Sequence, residues 1–198
     1  MLGLHESRWT VFKLSLLFAL DAFGGGFVIQ SVIAYWLHVQ FQLDPAMLGT
    51  IFLFANLLAG ISALSAGWLA RRIGLVNTMV FTHLPSNVLL ILVPLMPDVY
   101  WAVGLLLLRF SISQMDVPTR QAYTMAVVQP DERSAAAGVT AVARSVGASI
   151  SPMMATTLIG SAGLMSVPFF LAGGLKIVYD LLLYREFSSS KSGEATEK

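Results

Sequence analysis

The chain has 198 residues, of which 56% are hydrophobic and only 12% charged, and its net charge is +1. A soluble domain carries about 25% charged residues, so this composition leaves no room for a soluble catalytic domain, and the near-neutral balance gives no footing for nucleic acid. With no cysteine and only three scattered histidines (His5, His38 and His83), disulfides, thiolate chemistry and a clustered metal site drop out as well, and no cofactor is expected.

About six apolar stretches, each near the ~20 residues that a spanning helix needs, fill residues 9–187. Residues 1–8 form a charged lead-in. The first span covers roughly 9–39. It contains Asp21 and lacks a small-residue cleavage site, so it reads as a retained span and not as a removed signal. Gly24, Gly25 and Gly26 in its middle predict a bend. Asp44 and Pro45 start the second span, roughly 46–70, which stops at Arg71 and Arg72. The third runs roughly 75–96 with Pro85 and Pro94 inside it, and the fourth roughly 99–128 with Pro118. Residues 129–133 form a turn, Ser134 is placed to cap the next helix, and the fifth span runs roughly 135–159. The sixth runs roughly 164–187, and residues 188–198 read as a disordered tail.

Lysine and arginine orient the bundle. With both termini cytoplasmic, Arg8, Arg71, Arg72, Arg133, Arg185, Lys191 and Lys198 lie inside, while the outer connections carry only Asp44 and Asp98. The expected location is the inner cell membrane, multi-pass. Residues 9–96 and 99–187 hold three spans each, which is the arithmetic of an inverted 3+3 repeat in an all-α membrane bundle.

An ionisable group near the membrane centre costs at least about 2.5–3.5 kcal/mol on insertion scales. Those that need a reason are Asp21, Arg109, Asp116, Arg120, Arg144, Lys176 and Asp180. At 100° per residue, Arg109, Ser113, Asp116 and Arg120 fall within about 60° of one another, a polar stripe along the fourth span. Asp116 and Arg120 can pair at i,i+4, and Asp116 is also the natural partner for Arg144 on the fifth span. Lys176 and Asp180 are spaced to neutralise each other as a structural pair. That leaves Asp21 without a partner in its own helix, beside a helix break. It fits a proton or cation site, with Gln30 on a similar face, and equally fits packing against Lys176. Small-residue stripes, Gly49, Asn56, Gly60, Ala63 and Gly67 on the second span and Ala137, Ala141, Ala148, Ser151 and Ala155 on the fifth, predict close helix packing.

Four stretches carry a resemblance to the C-terminal half of a major facilitator superfamily transporter. GWLARRIG at 67–74 resembles the cytoplasmic-loop motif, with Gly67, Arg72 and Gly74 matching and Arg71 standing where the family has an acid. LLLLR at 105–109 resembles the arginine motif of the fourth helix, without the glycine that usually follows. MDVPTRQAY at 115–123, followed by DERSAAAG at 131–138 and ARSVG at 143–147, is the most specific match, and GLKIVYD at 174–180 resembles the last helix. The resemblance implies a secondary transporter, not an enzyme. It would work by alternating access between two six-helix bundles, with a small solute or ion between them and possible proton coupling through Arg109. Arg72 joins Asp116, Arg120 and Arg144 in a cytoplasmic charge network. The chain then corresponds to one half or a partial product, whose partners are the bilayer and a second six-helix half. A channel-like protein or a non-transporting membrane subunit is the alternative. A serine hydrolase built on Ser149 and His83 has little in its favour, since Ser151 replaces the glycine expected after such a serine. Arg109 and Arg144 favour an anionic solute, although pairing between helices explains them as well.

Overall fold

A computed structural model describes residues 3–161 and 163–188. Of the tail expected at 188–198, residues 189–198 lie outside the described residues. The described chain is helical, with no strand: α1 (Arg8–Gly26), α2 (Gln30–Phe41), α3 (Pro45–Ile73), α4 (Leu75–Leu92) with a 3-10 turn (Val93–Leu95), α5 (Val99–Ser113), α6 (Asp116–Val127), α7 (Arg133–Ile159) and α8 (Val167–Phe187). Among the described residues, four segments are long and apolar enough to cross a membrane: Arg8–Phe41, Pro45–Ile73, Leu75–Leu95 and Val167–Phe187. The segment α7 is longer than α8 but rich in Ala, Ser and Thr, and α5 and α6 are separated by a break.

Both interruptions have local causes. After Gly26 the chain makes a tight turn, with the Phe27 amide donating to the Gly24 carbonyl, and then extends through Ile29 (φ −60°, ψ 155°) before α2 begins. The glycines here serve close approach as much as bending, since a Cβ on Gly26 would overlap the Ser151 hydroxyl of α7. Between α5 and α6, Pro118 is responsible. It has no N–H to give the Gln114 carbonyl four residues back, and its ring crowds that oxygen. At the caps, Asp44 accepts from the Met47 amide at 2.8 Å, and Asp98 from the Tyr100 and Trp101 amides at 2.9 and 3.1 Å. Ser134 does not cap α7, which begins one residue earlier at Arg133.

The core is layered along the helix axes. At one end Trp36, Leu37, Leu90, Val93, Leu106, Ile159 and Phe169 pack together; at the other, Leu14, Phe18, Met79, Tyr123, Tyr179, Leu183 and Phe187 do. Between these apolar layers lie the buried polar groups Asp21, His83, Asn87, Arg109, Asp116, Arg120, Lys176 and Asp180. The helices pack as α1 against α7 and α8, α3 and α4 against α5, α4 against α8, α2 against α3 and α7, and α6 against α3, α4 and α7. Residues 5–7 pack on the turn before α7, and α1 meets the end of α8. Lys13 contacts Glu186, and the Glu132 carboxylate is clasped by the amides of His5, Glu6 and Ser7.

Candidate functional site

Asp21 is carried on α1 between the two apolar layers, and its carboxylate is the hub of the polar layer. One oxygen, Oδ1, accepts from Lys176 Nζ on α8 at 2.5 Å. The other, Oδ2, accepts from Arg120 Nη1 on α6 at 2.8 Å and from Arg144 Nη1 on α7 at 3.2 Å. His83 Nε2, on α4, lies 3.8 Å from Oδ1. Four helices besides its own thus converge on one side chain. Both partners of a buried ion pair lose hydration, and only a well-formed set of hydrogen bonds repays that loss.

Beside the hub sits a second cluster. Asp180 on α8 takes His83 Nδ1 at 2.9 Å on one oxygen and the Asn87 amide at 3.0 Å on the other. The Tyr179 ring stands edge-on to the imidazole, 5.9 Å between centroids. Arg120 also approaches Asp116 Oδ2 at 3.2 Å, one turn back along α6. Arg109 is buried on α5 over the Phe110 ring, at 5.3 Å, and its Nε finds no hydrogen-bond partner among the described residues. The same holds for the Ser113 hydroxyl below it.

Several sequence expectations are corrected by this geometry. Asp21, without a partner in its own helix, takes Lys176, as the second of its two readings expects, and also Arg120 and Arg144, so it is not an isolated acid. Lys176 does not pair with Asp180 one turn along, because Asp21 on α1 offers it a carboxylate and His83 and Asn87 occupy Asp180. Arg144 reaches Asp21 and not Asp116, since α7 packs on α1. Gln30 is exposed at the start of α2, because the break at 27–29 takes α2 out of phase with α1. Arg72 belongs to no ion pair among the described residues; it lies over the Trp68 ring four residues back, 4.3 Å from the centroid. The α3 stripe faces outward, with open space around Gly49, Gly60 and Gly67. The Ser149 hydroxyl donates to the Val146 carbonyl of its own helix, while His83 is engaged by Asp180.

Sequence reasoning missed His83 and Asn87. The signal was present: an imidazole inside an apolar span is an ionisable group that needs a partner, and Asn87 follows it at i+4 on the same helix face.

The hub opens on one side. A cleft of about 700 Å³ between α1, α6 and α7 is lined by Phe18, Arg120, Gln121, Thr124, Thr140 and Arg144, among others. Arg144 is the exposed member of the hub, with 36% of its side chain accessible against 6% for Arg120 and 9% for Lys176. Such an arrangement can hold or exchange charge at a wall between helices without exposing the rest of the layer.

Comparison with known proteins gives two matches. Residues 9–198 match the family described as Major Facilitator Superfamily. The chain is also similar to the uncharacterized membrane protein YJR124C of Saccharomyces cerevisiae, with 26% identity over 180 residues, covering 90% of this chain and 40% of that protein. The chain therefore spans about two fifths of that relative's length. No solved structure matches.

Proposed function

Because the chain belongs to the Major Facilitator Superfamily, we propose that it is one six-helix half of a secondary transporter. It would carry a small solute by alternating access against a second six-helix half. The family and the apolar helices make it a multi-pass membrane protein. In our reading α1–α2 and α5–α6 are interrupted first spans of two inverted three-helix repeats. Exchange the first span with the fourth, the second with the fifth and the third with the sixth. The packing of α1 on α7 then becomes that of α5 on α3, α1 on α8 becomes α5 on α4, and α2 on α7 becomes α6 on α3. Interrupted helices at matching places in two repeats are a pointer to a transport site.

The observation that carries the reading is the buried hub. Asp21 ties α1 to α6, α7 and α8 through ion pairs whose partners sit on separate helices, so helix movement and charge rearrangement are coupled. Groups of this kind inside a membrane are costly and mark substrate or ion pathways. Asp21, Arg109 and Ser113 are the pathway residues in this scheme, with Arg120, Asp116 and Lys176 holding the hub. The small-residue faces of α3 and α7, the second members of the two repeats, suit close contact with another bundle. With both termini cytoplasmic, the end bearing Arg8, Lys13, Arg71, Arg72, Arg133 and Arg185 faces the cytoplasm, and the membrane is the inner cell membrane.

The test is solute uptake into vesicles by the full gene product, with Asp21→Asn, Arg109→Gln and Ser149→Ala compared at matched protein levels. Gradient-dependent uptake that is lost in the first two variants and kept in the third supports the reading. Flux that ignores every gradient favours a channel, and full uptake in Arg109→Gln removes that residue from the pathway.

A further inference from the structure

Lys176, Arg120 and Arg144 share one carboxylate, and the arithmetic of the layer does not close. The buried acids are Asp21, Asp116 and Asp180, and the last is engaged by His83 and Asn87. Set against them are Lys176, Arg120, Arg144 and Arg109, the last with no ion pair among the described residues. One positive charge remains in excess with His83 neutral, and two with it protonated. A net charge in a low-dielectric layer is costly unless an opposite charge joins it.

Of the four cations, Arg144 is the one an anion can reach, since Arg109, Arg120 and Lys176 are buried while 36% of the Arg144 side chain is accessible. Its Nη1 shares Asp21 Oδ2 with the shorter Arg120 contact, and this is its single hydrogen bond among the described residues. Its other N–H groups carry no hydrogen bond among the described residues. In the cleft it lines, the Gln121 amide is a further neutral donor, the hydroxyls of Thr124, Thr140 and Ser145 donate to carbonyls of their own helices, and no acid is among the described lining residues. Phe18, Val117 and Met125 offer an apolar wall for a short carbon skeleton. A helix-to-helix tie of the ordinary kind is buried and matched one to one, and this one is neither.

We propose that the cleft between α1, α6 and α7 binds a small organic anion, whose carboxylate or phosphate is taken by the guanidinium of Arg144. This rests on the transporter reading and names its solute class. A guanidinium presents two parallel N–H groups to such oxyanions. Asp21 is the internal competitor for the same guanidinium. A bound anion neutralises the excess charge and loosens the α1–α7 tie, while Lys176 and Arg120 keep Asp21 paired.

The experiment is thermal unfolding of the full gene product in detergent, in sodium phosphate, sodium citrate, sodium chloride and tetraethylammonium chloride at equal ionic strength. Phosphate or citrate should raise the melting temperature in a saturable way over chloride, and the stronger of the two tells phosphate from carboxylate. Arg144→Gln should weaken the apparent affinity about tenfold to a hundredfold, the range of one charge-assisted hydrogen bond. Ala141→Glu keeps Arg144 but sets an acid on the exposed cleft wall one turn away, and should do the same. Absence of a saturable anion shift, an equal shift in both variants, or a shift with tetraethylammonium alone overturns the inference. Gradient-driven uptake of a cation or neutral solute without any anion shift overturns it and leaves the transporter reading standing. An anion shift lost in both variants, with no uptake of any solute, supports the site and fails the transporter reading.

Discussion

Neutralising Asp21 takes away the carboxylate that three cations share and leaves Lys176 and Arg144 with no other ion pair among the described residues, so Asp21→Asn is the substitution with the largest expected cost. Breaking a buried pair by removing one partner costs about 3–5 kcal/mol. Arg144→Gln should cost about 1 kcal/mol or less, because that side chain is 36% exposed and Asp21 keeps Lys176 and Arg120. The double variant should recover part of the loss of Asp21→Asn, and strictly additive melting shifts would argue against the contact. A different acid sets the pH response. The Ser7 hydroxyl, with the backbone amides of His5, Ser7 and Glu6, holds the Glu132 carboxyl down at about 2 from its usual 4.5. The unfolded chain therefore takes up this proton first. The clasp contributes fully above pH 4.5 and is lost as pH falls through about 2. Protease sensitivity of the N-terminal segment should rise across that window, and Glu132→Gln should be sensitive already at neutral pH with no further change.

Among the elements, α1 and α7 approach most closely where Gly147 faces Ala19. A Cβ on Gly147 would overlap the Ala19 carbonyl oxygen, which is backbone and has no side-chain freedom to yield. Gly147→Val should cost about 1–3 kcal/mol by melting in detergent, whereas Gly60→Ala, in open space inside α3, should keep or raise the melting temperature, since Ala is about 0.5–1 kcal/mol better than Gly in a helix interior. Helix positions were largely legible in the sequence, because a membrane span announces itself by length and hydropathy. The interruption of the fourth span was less so. Its stripe of Arg109, Ser113, Asp116 and Arg120 reads as one continuous face, and only Pro118 hints that the ladder fails at Gln114. The pairing within the polar layer was misread for a general reason. Spacing within one helix shows which residues can meet along that helix, as with Asp116 and Arg120. It is silent on which neighbouring helix lies nearer, and Asp21 on α1 displaced Asp180 as the partner of Lys176 and Asp116 as the partner of Arg144.

For the molecule as a whole, the proposed orientation is open to cysteine labelling without background, since the chain has no cysteine of its own. Arg71→Cys and Arg133→Cys should react only from the cytoplasmic side, and Asp44→Cys, Asp98→Cys and Ser161→Cys only from outside; outside labelling at position 133 would overturn the topology. The layering also bears on how the chain is made. Synthesis delivers α4 to the membrane with His83 and Asn87 before α8 exists, yet Asp180, which takes both, arrives only with α8. Until then the earlier helices carry unmatched polar groups in lipid, the sort of defect by which quality control recognises unassembled membrane proteins. A chain stopped after Ile159 should therefore be degraded rapidly in the cell, and supplying residues 160–188 as a separate segment should extend its lifetime.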